Sequence, residues 1–351
     1  MSALARPSRA VRTALATIIG IASGGAVFSR GLRILQQGSD FDPVWKGARA
    51  VLSGQNPYTL LAPVVHRSND WGLYYPMPAV LVAMPLAPFP LAMARGLFFG
   101  GSAALLAYAI TREGYFRLPV FASMAFLQAA WLVQWSPLLT AAALIPALGG
   151  LLVVKPNVGL GIGASVVPRN AILPALLGAA GLVALSFVLL PTWVGDWLDA
   201  LRDTSHIRAP ITRPGGALVL LALLRWRRPE ARLVSALACI PQTPGPYECI
   251  VLFLVATTLR ESILLAYLTY VTFFAVGLVQ TDPSIQGWME ACGDLMVPFI
   301  YLPCTWMVLR RPNVGDIPWW LDVLATAGAR PTRPRRWGRL RQGTNRSSEQ
   351  E

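Results

Sequence analysis

Apolar runs recur along the chain from Ala14 to Leu309, and the polar breaks between them are short and carry arginine. This pattern constrains the fold more than any other feature. Inside a bilayer no water is available to the backbone, so every N–H and C=O must be satisfied by protein, which leaves helices or a closed barrel. The runs are continuous rather than alternating, and many exceed the length of a strand, so they read as helices. Only 13% of the residues are charged and 54% are hydrophobic, against about 25% charged in a soluble domain. We expect an all-α polytopic membrane protein with one integral domain over residues 14–311. It is flanked by a short cytoplasmic tail at 1–13 and a basic cytoplasmic tail at 312–351. The first run, Ala14 to Leu35, is long enough to span and is followed by no small-residue cleavage site, so it reads as an uncleaved helix.

The formal net charge is +13, and every basic residue other than Lys46 and Lys155 is arginine. In a membrane protein such charges mark cytoplasmic loops and contact with anionic lipid, so nucleic acid is not expected as a partner. Arg6, Arg9 and Arg12 place the N-terminus inside. Arg112 with Arg117, the group Arg225, Arg227, Arg228 and Arg232, and the pair Arg310-Arg311 mark later inner loops. Alternating the runs between these marks gives about ten transmembrane or partial-span segments, with both termini cytoplasmic. Leu138 to Val154 is expected to cross as one of them, and residues 195–215 form a second polar outer loop. Several segments are short and broken by proline. Such pieces must pack against protein or line a cavity, so an enclosed site is expected. No internal repeat is visible. Cys239, Cys249, Cys292 and Cys304 form no CxxC or Cys/His cluster and read as small buried hydrophobes.

The stretch with most chemical content leaves the first helix: Asp40-Phe41-Asp42-Pro43-Val44-Trp45 through Asn56-Pro57-Tyr58. Val44, Trp45, Ala48, Val51 and Leu52 recur at helical spacing, so a short amphipathic helix is expected to lie in the interface of the first outer loop. An acid at its start can cap it. Half desolvated, the same acid can serve as a general base. With two acids, one can cap and the other act. Lys155, at the end of an apolar run, can meet a phosphate or simply mark a helix end. His206 and Arg208 share a polar outer loop and can bind phosphate or move a proton. Arg95 falls within an apolar run and should line a cavity or pair with an acid. Asp282, Glu290 and Asp294 read as ordinary solvated charges. Nucleotide-binding, zinc-protease, serine-hydrolase and dinucleotide motifs are absent.

Asp40-Phe41, Trp45, Ala48-Arg49-Ala50, Leu52, Gly54 and Pro57-Tyr58 together resemble the first-loop motif of glycosyltransferase family 87. The likeness continues at Tyr75-Pro76-Met77-Pro78, Pro85-Leu86, Gln134-Trp135-Ser136 and Lys155-Pro156-Asn157, in consistent order over roughly residues 30–165. The resemblance implies a GT-C-like bundle. It also implies transfer of a hexose, mannose by likeness to the family, from a polyprenyl-phosphate donor to a glycolipid or glycan acceptor at the extracytoplasmic face of the cell membrane. By that alignment Asp40 is the base, and Tyr58, Tyr75, Gln134 and Lys155 belong to the substrate side, with His206 and Arg208 added from the second loop. No cofactor or metal is called for. Where members carry a late His-Tyr pair this chain has Pro246-Tyr247, so either His206 supplies that function or the copy is altered or inactive. A transporter or flippase of lipid-linked intermediates and a non-catalytic scaffold are the rival readings.

Overall fold

The computed structural model describes residues 6–33, 38–61, 72–202, 207–318 and 321. Among them the secondary structure is entirely helical, and residues up to Asp316 form one compact unit. The regular helices are α1 (Arg9–Arg33), α2 (Asp42–Leu52), α3 (Pro57–Leu60), α4 (Met77–Ala83), α5 (Leu91–Ile110), α6 (Met124–Leu132) and α7 (Ser136–Leu144). They continue as α8 (Pro156–Ser165), α9 (Arg169–Leu189), α10 (Trp193–Leu201), α11 (Pro229–Cys239), α12 (Leu259–Val279), α13 (Ile285–Met296) and α14 (Leu302–Leu309). Long 3-10 stretches run over Pro146–Val154, Gly216–Arg225 and Pro246–Leu254.

Among the described residues five helical spans are long and apolar enough to cross a bilayer: α1, α5, α9, α12 and the continuous Ile285–Leu309. The chain is thus a membrane protein by length and composition of its helices. The expected bundle of about ten transmembrane or partial-span segments goes beyond these five spans. Proline and glycine divide the remaining apolar sequence into pieces too short to span: Pro85, Pro88 and Pro90 separate α4 from α5, for example. Sequence reading also treated 195–215 as loop, whereas Trp193–Leu201 is helical.

The expected single crossing from Leu138 to Val154 is instead a hairpin. α7 leaves, the chain turns at Ile145-Pro146, and Pro146–Val154 returns packed against it. The proof is Glu248, which contacts Ser136 at one end of this segment and Lys155 at the other. A broken element of this kind survives at membrane depth only if protein surrounds it, and Ser136 to Ala143 are all buried.

α1 and α5 form the most extensive helix pair. They run antiparallel, with Arg12 bonded to the Tyr108 carbonyl at one end and Gly31 against Ala92 at the other. Lipid is as apolar as leucine, so such a pair gains from close backbone approach rather than from burial. Gly20 and Gly24 on α1 face Gly96 and Gly100 on α5. A Cβ on Gly24 would sit 2.7 Å from the Gly96 carbonyl oxygen, and one on Gly100 would sit 2.8 Å from that of Gly20.

Arginines gather at the end where α1 begins and α5 finishes. Arg117 donates to the Leu254 and Ala256 carbonyls at 3.2 and 3.1 Å, and Arg311 to Val255 at 2.8 Å. Arg225 donates to the Arg311 carbonyl, and Arg232 to that of Ser165. Guanidinium donors thus satisfy carbonyls left over at helix ends. The arginines read as inner-loop markers therefore do converge on one end, opposite the turn that carries Asp40.

Gly100→Val should destabilise the folded protein by about 1–3 kcal/mol through overpacking. Gly101→Val, with nothing within 4 Å of its added Cβ, should stay near wild type. Thermal unfolding in detergent compares them; equal loss in both would refute the close-packed α1–α5 contact.

Candidate functional site

Asp42 is the first residue of α2, and neither it nor Asp40 caps that helix. The N-cap is Phe41, without a side-chain bond. Instead the Asp42 carboxylate reaches back, accepting from the Ser39 N–H at 2.9 Å and the Ser39 hydroxyl at 2.5 Å. It also takes a two-pronged pair from Arg95 on α5, with Nε at 2.7 Å and Nη2 on the other oxygen. Both side chains are nearly inaccessible. The expectation that Arg95 pairs with an acid is met. A planar guanidinium suits this bidentate geometry, and the extra bonds from Ser39 help offset the cost of burying two charges.

Between these anchors Phe41 stacks on Phe98 of α5 with centroids 4.4 Å apart, and Phe98 meets Trp135 edge-on at 4.7 Å. This fixes the neighbouring Asp40. Its N–H bonds the Leu132 carbonyl at 2.9 Å, and its carboxylate accepts from the Gln134 side chain. The link depends on Val133, which ends α6 in a left-handed conformation at φ 51°. For a β-branched residue this is a real outlier, costing on the order of 1–3 kcal/mol. It turns the chain so that Leu132 and Gln134 both face Asp40.

On the far side lies Glu248, whose side chain is fully inaccessible and holds Lys155, itself 12% exposed. The Lys155 ammonium is 6.0 Å from the Tyr247 ring centroid. Tyr75, with its ring 5.8 Å from that of Trp135, completes the surroundings. Half-buried overall, Asp40 has a desolvated carboxyl whose pKa is raised to about 6. Burial is the main cause, opposed by the Lys155 charge and the Gln134 bond and reinforced by Glu248 and Asp42. Burial, then Asp40 and Glu248, also push the Tyr75 phenol up and keep it neutral. Two buried polar atoms beside Asp40, Gln134 Oε1 and Trp135 Nε1, make no hydrogen bond among the described residues. Such groups are normally paired, and both atoms are closed to solvent.

The structure therefore brings Asp40, Gln134, Tyr75 and Lys155 into one neighbourhood. Tyr58 is one step removed: it is buried, and its hydroxyl donates to the Tyr75 carbonyl at 3.0 Å. Asn56 and Trp197 tie the same region to α10, through Asp196 and the Tyr74 carbonyl. Arg208 lies elsewhere, exposed and paired with Glu290. His206 falls outside the described residues, as do His66 and most of the C-terminal tail. Glu290 and Asp294 are not merely solvated, because they hold the buried Arg213. Sequence reading missed Glu248 as a site residue. An acid within the apolar context of Pro246–Leu254 was the available signal. Among the described residues no group of three His, Cys, Asp or Glu side chains is placed to hold a metal. Compared with family models, curated proteins and solved structures, the chain matches none.

Arg95→Leu should cost about 3–5 kcal/mol by leaving Asp42 buried and unpaired, and adding Asp42→Asn should restore much of it. Denaturation of the single and double variants decides this; an additive double variant would show the two residues to be uncoupled.

A second expectation follows from Asp40. Its folded-state pKa lies above the usual value, so the folded form holds the proton longer and Asp40 destabilises the fold as pH rises between about 4 and 6. Asp40→Asn should then melt above wild type at pH 8 and level with it at pH 4. A melting difference independent of pH would contradict this assignment.

Proposed function

We propose that this protein is an integral membrane glycosyltransferase, moving a hexose from a polyprenyl-phosphate donor to a lipid- or glycan-borne hydroxyl, with Asp40 as general base. The observation that carries the reading is the half-buried Asp40, poised near neutral titration between Gln134 and the Lys155–Glu248 pair. A base of this pKa is half ionised near pH 6 and still takes up a proton effectively. The Gln134 amide, bonded to Asp40, orients that carboxylate toward the acceptor hydroxyl.

In this mechanism the Asp40 carboxylate takes the acceptor hydroxyl proton as the oxygen attacks the anomeric carbon. The bond from that carbon to the lipid phosphate oxygen breaks, its electron pair stays on the phosphate, and the anomeric configuration inverts. Lys155 is the cation nearest the base; swinging from Glu248 toward the phosphate lets it offset the growing charge. The gathering of arginines at the opposite end supports a cytoplasmic assignment for that end and an extracytoplasmic one for Asp40.

Purified protein should transfer sugar from at least one member of a panel of labelled polyprenyl-phosphate hexoses. The rate should climb with pH through about 6. Asp40→Asn should reduce it by about 10²–10⁴-fold. A folded Asp40→Asn protein with full activity would overturn the role of Asp40. Donor binding without turnover across the panel would favour movement of the lipid-linked sugar instead.

A further inference from the structure

The turn between α6 and α7 holds two acids at once. Gln134 donates to the Asp40 carboxylate, and Ser136, two residues on, donates to Glu248 at 3.4 Å. Consecutive Cα atoms are about 3.8 Å apart, so the two donors stand within about 7 Å of each other along the backbone. Lys155 acts electrostatically on both acids, yet its ion pair is with Glu248 and not with Asp40. Two carboxylates on one short turn thus compete for one ammonium.

The surroundings of the two acids explain which one holds it. Every residue of Pro246–Leu254 is buried, and the Glu248 side chain is closed to solvent. A carboxylate there bears a large desolvation cost unless a cation compensates it. Asp40 is only half-buried and keeps its bond from Gln134, so it needs the ammonium less. Lys155 sits in the bend between Pro146–Val154 and α8, and its flexible four-carbon stem can re-aim when either acid changes charge. The other groups nearby do not compete. Asp42 is taken by Arg95. Tyr75 and Tyr247 face both acids, while Tyr301 and Cys249 face Glu248; phenols and thiols are uncharged near neutral pH.

We propose that Glu248 is a positioning residue for Asp40: by holding the Lys155 ammonium it keeps the base out of an ion pair and keeps the cation at hand for the departing phosphate. An ammonium seated on Asp40 would occupy the carboxylate that has to take the hydroxyl proton. With the ammonium on Glu248, Asp40 stays the stronger proton acceptor, in line with its titration near 6. The catalytic purpose of this arrangement rests on the transfer reaction proposed above. The hold of Glu248 on Lys155, and through it on Asp40, is measurable without any transfer.

The gain in melting temperature on Asp40→Asn, followed against pH in detergent, reports the titration of Asp40 with no substrate present. With Glu248 intact the gain should grow with pH and level off near 6. Glu248→Gln removes a like charge and lets Lys155 turn to Asp40. The levelling should then move down by about one pH unit, the lower end of what an adjacent opposite charge does to a carboxyl. Glu248→Asp, which keeps the charge, should hold it near 6. Lys155→Met combined with Glu248→Gln removes both charges, of which the cation is the larger influence, so the levelling should move above 6. A merely structural Glu248 would lower melting without moving the levelling in opposite directions. The pH inflection of transfer from polyprenyl-phosphate hexoses should shift in step. A levelling that Glu248→Gln leaves in place would overturn the proposal. The double variant leaves no buried charge unpaired, so it carries the test where Glu248→Gln does not fold: a levelling at or below 6 there would overturn the proposal too. Shifts of the expected sign in protein that transfers no sugar would uphold the hold of Glu248 on Asp40 and overturn the transfer reaction instead.

Discussion

The ion pair between Asp42 and Arg95 is the contact on which the functional region depends. It joins the first turn of α2 to the second turn of α5, and it is closed to solvent on both sides. Two buried charges are tolerable only when geometry and extra hydrogen bonds compensate their desolvation, and Ser39 contributes through both backbone and side chain. With the loop end pinned there, Phe41 has one place to stack, on Phe98 of the same helix. The glycine contact between α1 and α5 sets the helix that feeds this loop. Asp40 inherits its position from these three constraints.

Two acids separated by one residue thus meet opposite fates. Asp42 is saturated by a cation and two further donors, which makes it part of the scaffold. Asp40 has one side-chain donor, Gln134, and a cation whose charge is largely taken by Glu248. Desolvation with incomplete compensation is what raises its proton affinity. The strained Val133 lies beside Gln134, the donor to the same carboxyl.

The chain is also polar along its length in a way that suits a bilayer. Arginine side chains close over helix-end carbonyls at one end, where Glu230 and Glu261 also pair with Arg311, while Asp40 and Asp42 lie at the other. Between them, pieces too short to span pack inside a few longer helices. The hairpin of α7 with Pro146–Val154 is such a piece, and it returns Lys155 to the level of Gln134.

Composition and the recurrence of apolar runs determined the helical class and the membrane environment, because backbone in a bilayer has few alternatives. Arginine placement marked the end at which the inner loops meet, and the residue pattern that continues from Asp40 picked out Tyr75, Gln134 and Lys155. The number of spans was not legible, since local hydropathy cannot tell a crossing from a hairpin that turns back at Ile145-Pro146. Nor was the division of labour between Asp40 and Asp42, which rests on Arg95, 53 residues further along. Glu248 enters through a contact 93 residues from Lys155. Sequence determines what each segment can be when its solvent is known. Which charges meet depends on distant segments sharing one small volume, and only the tertiary fold decides that.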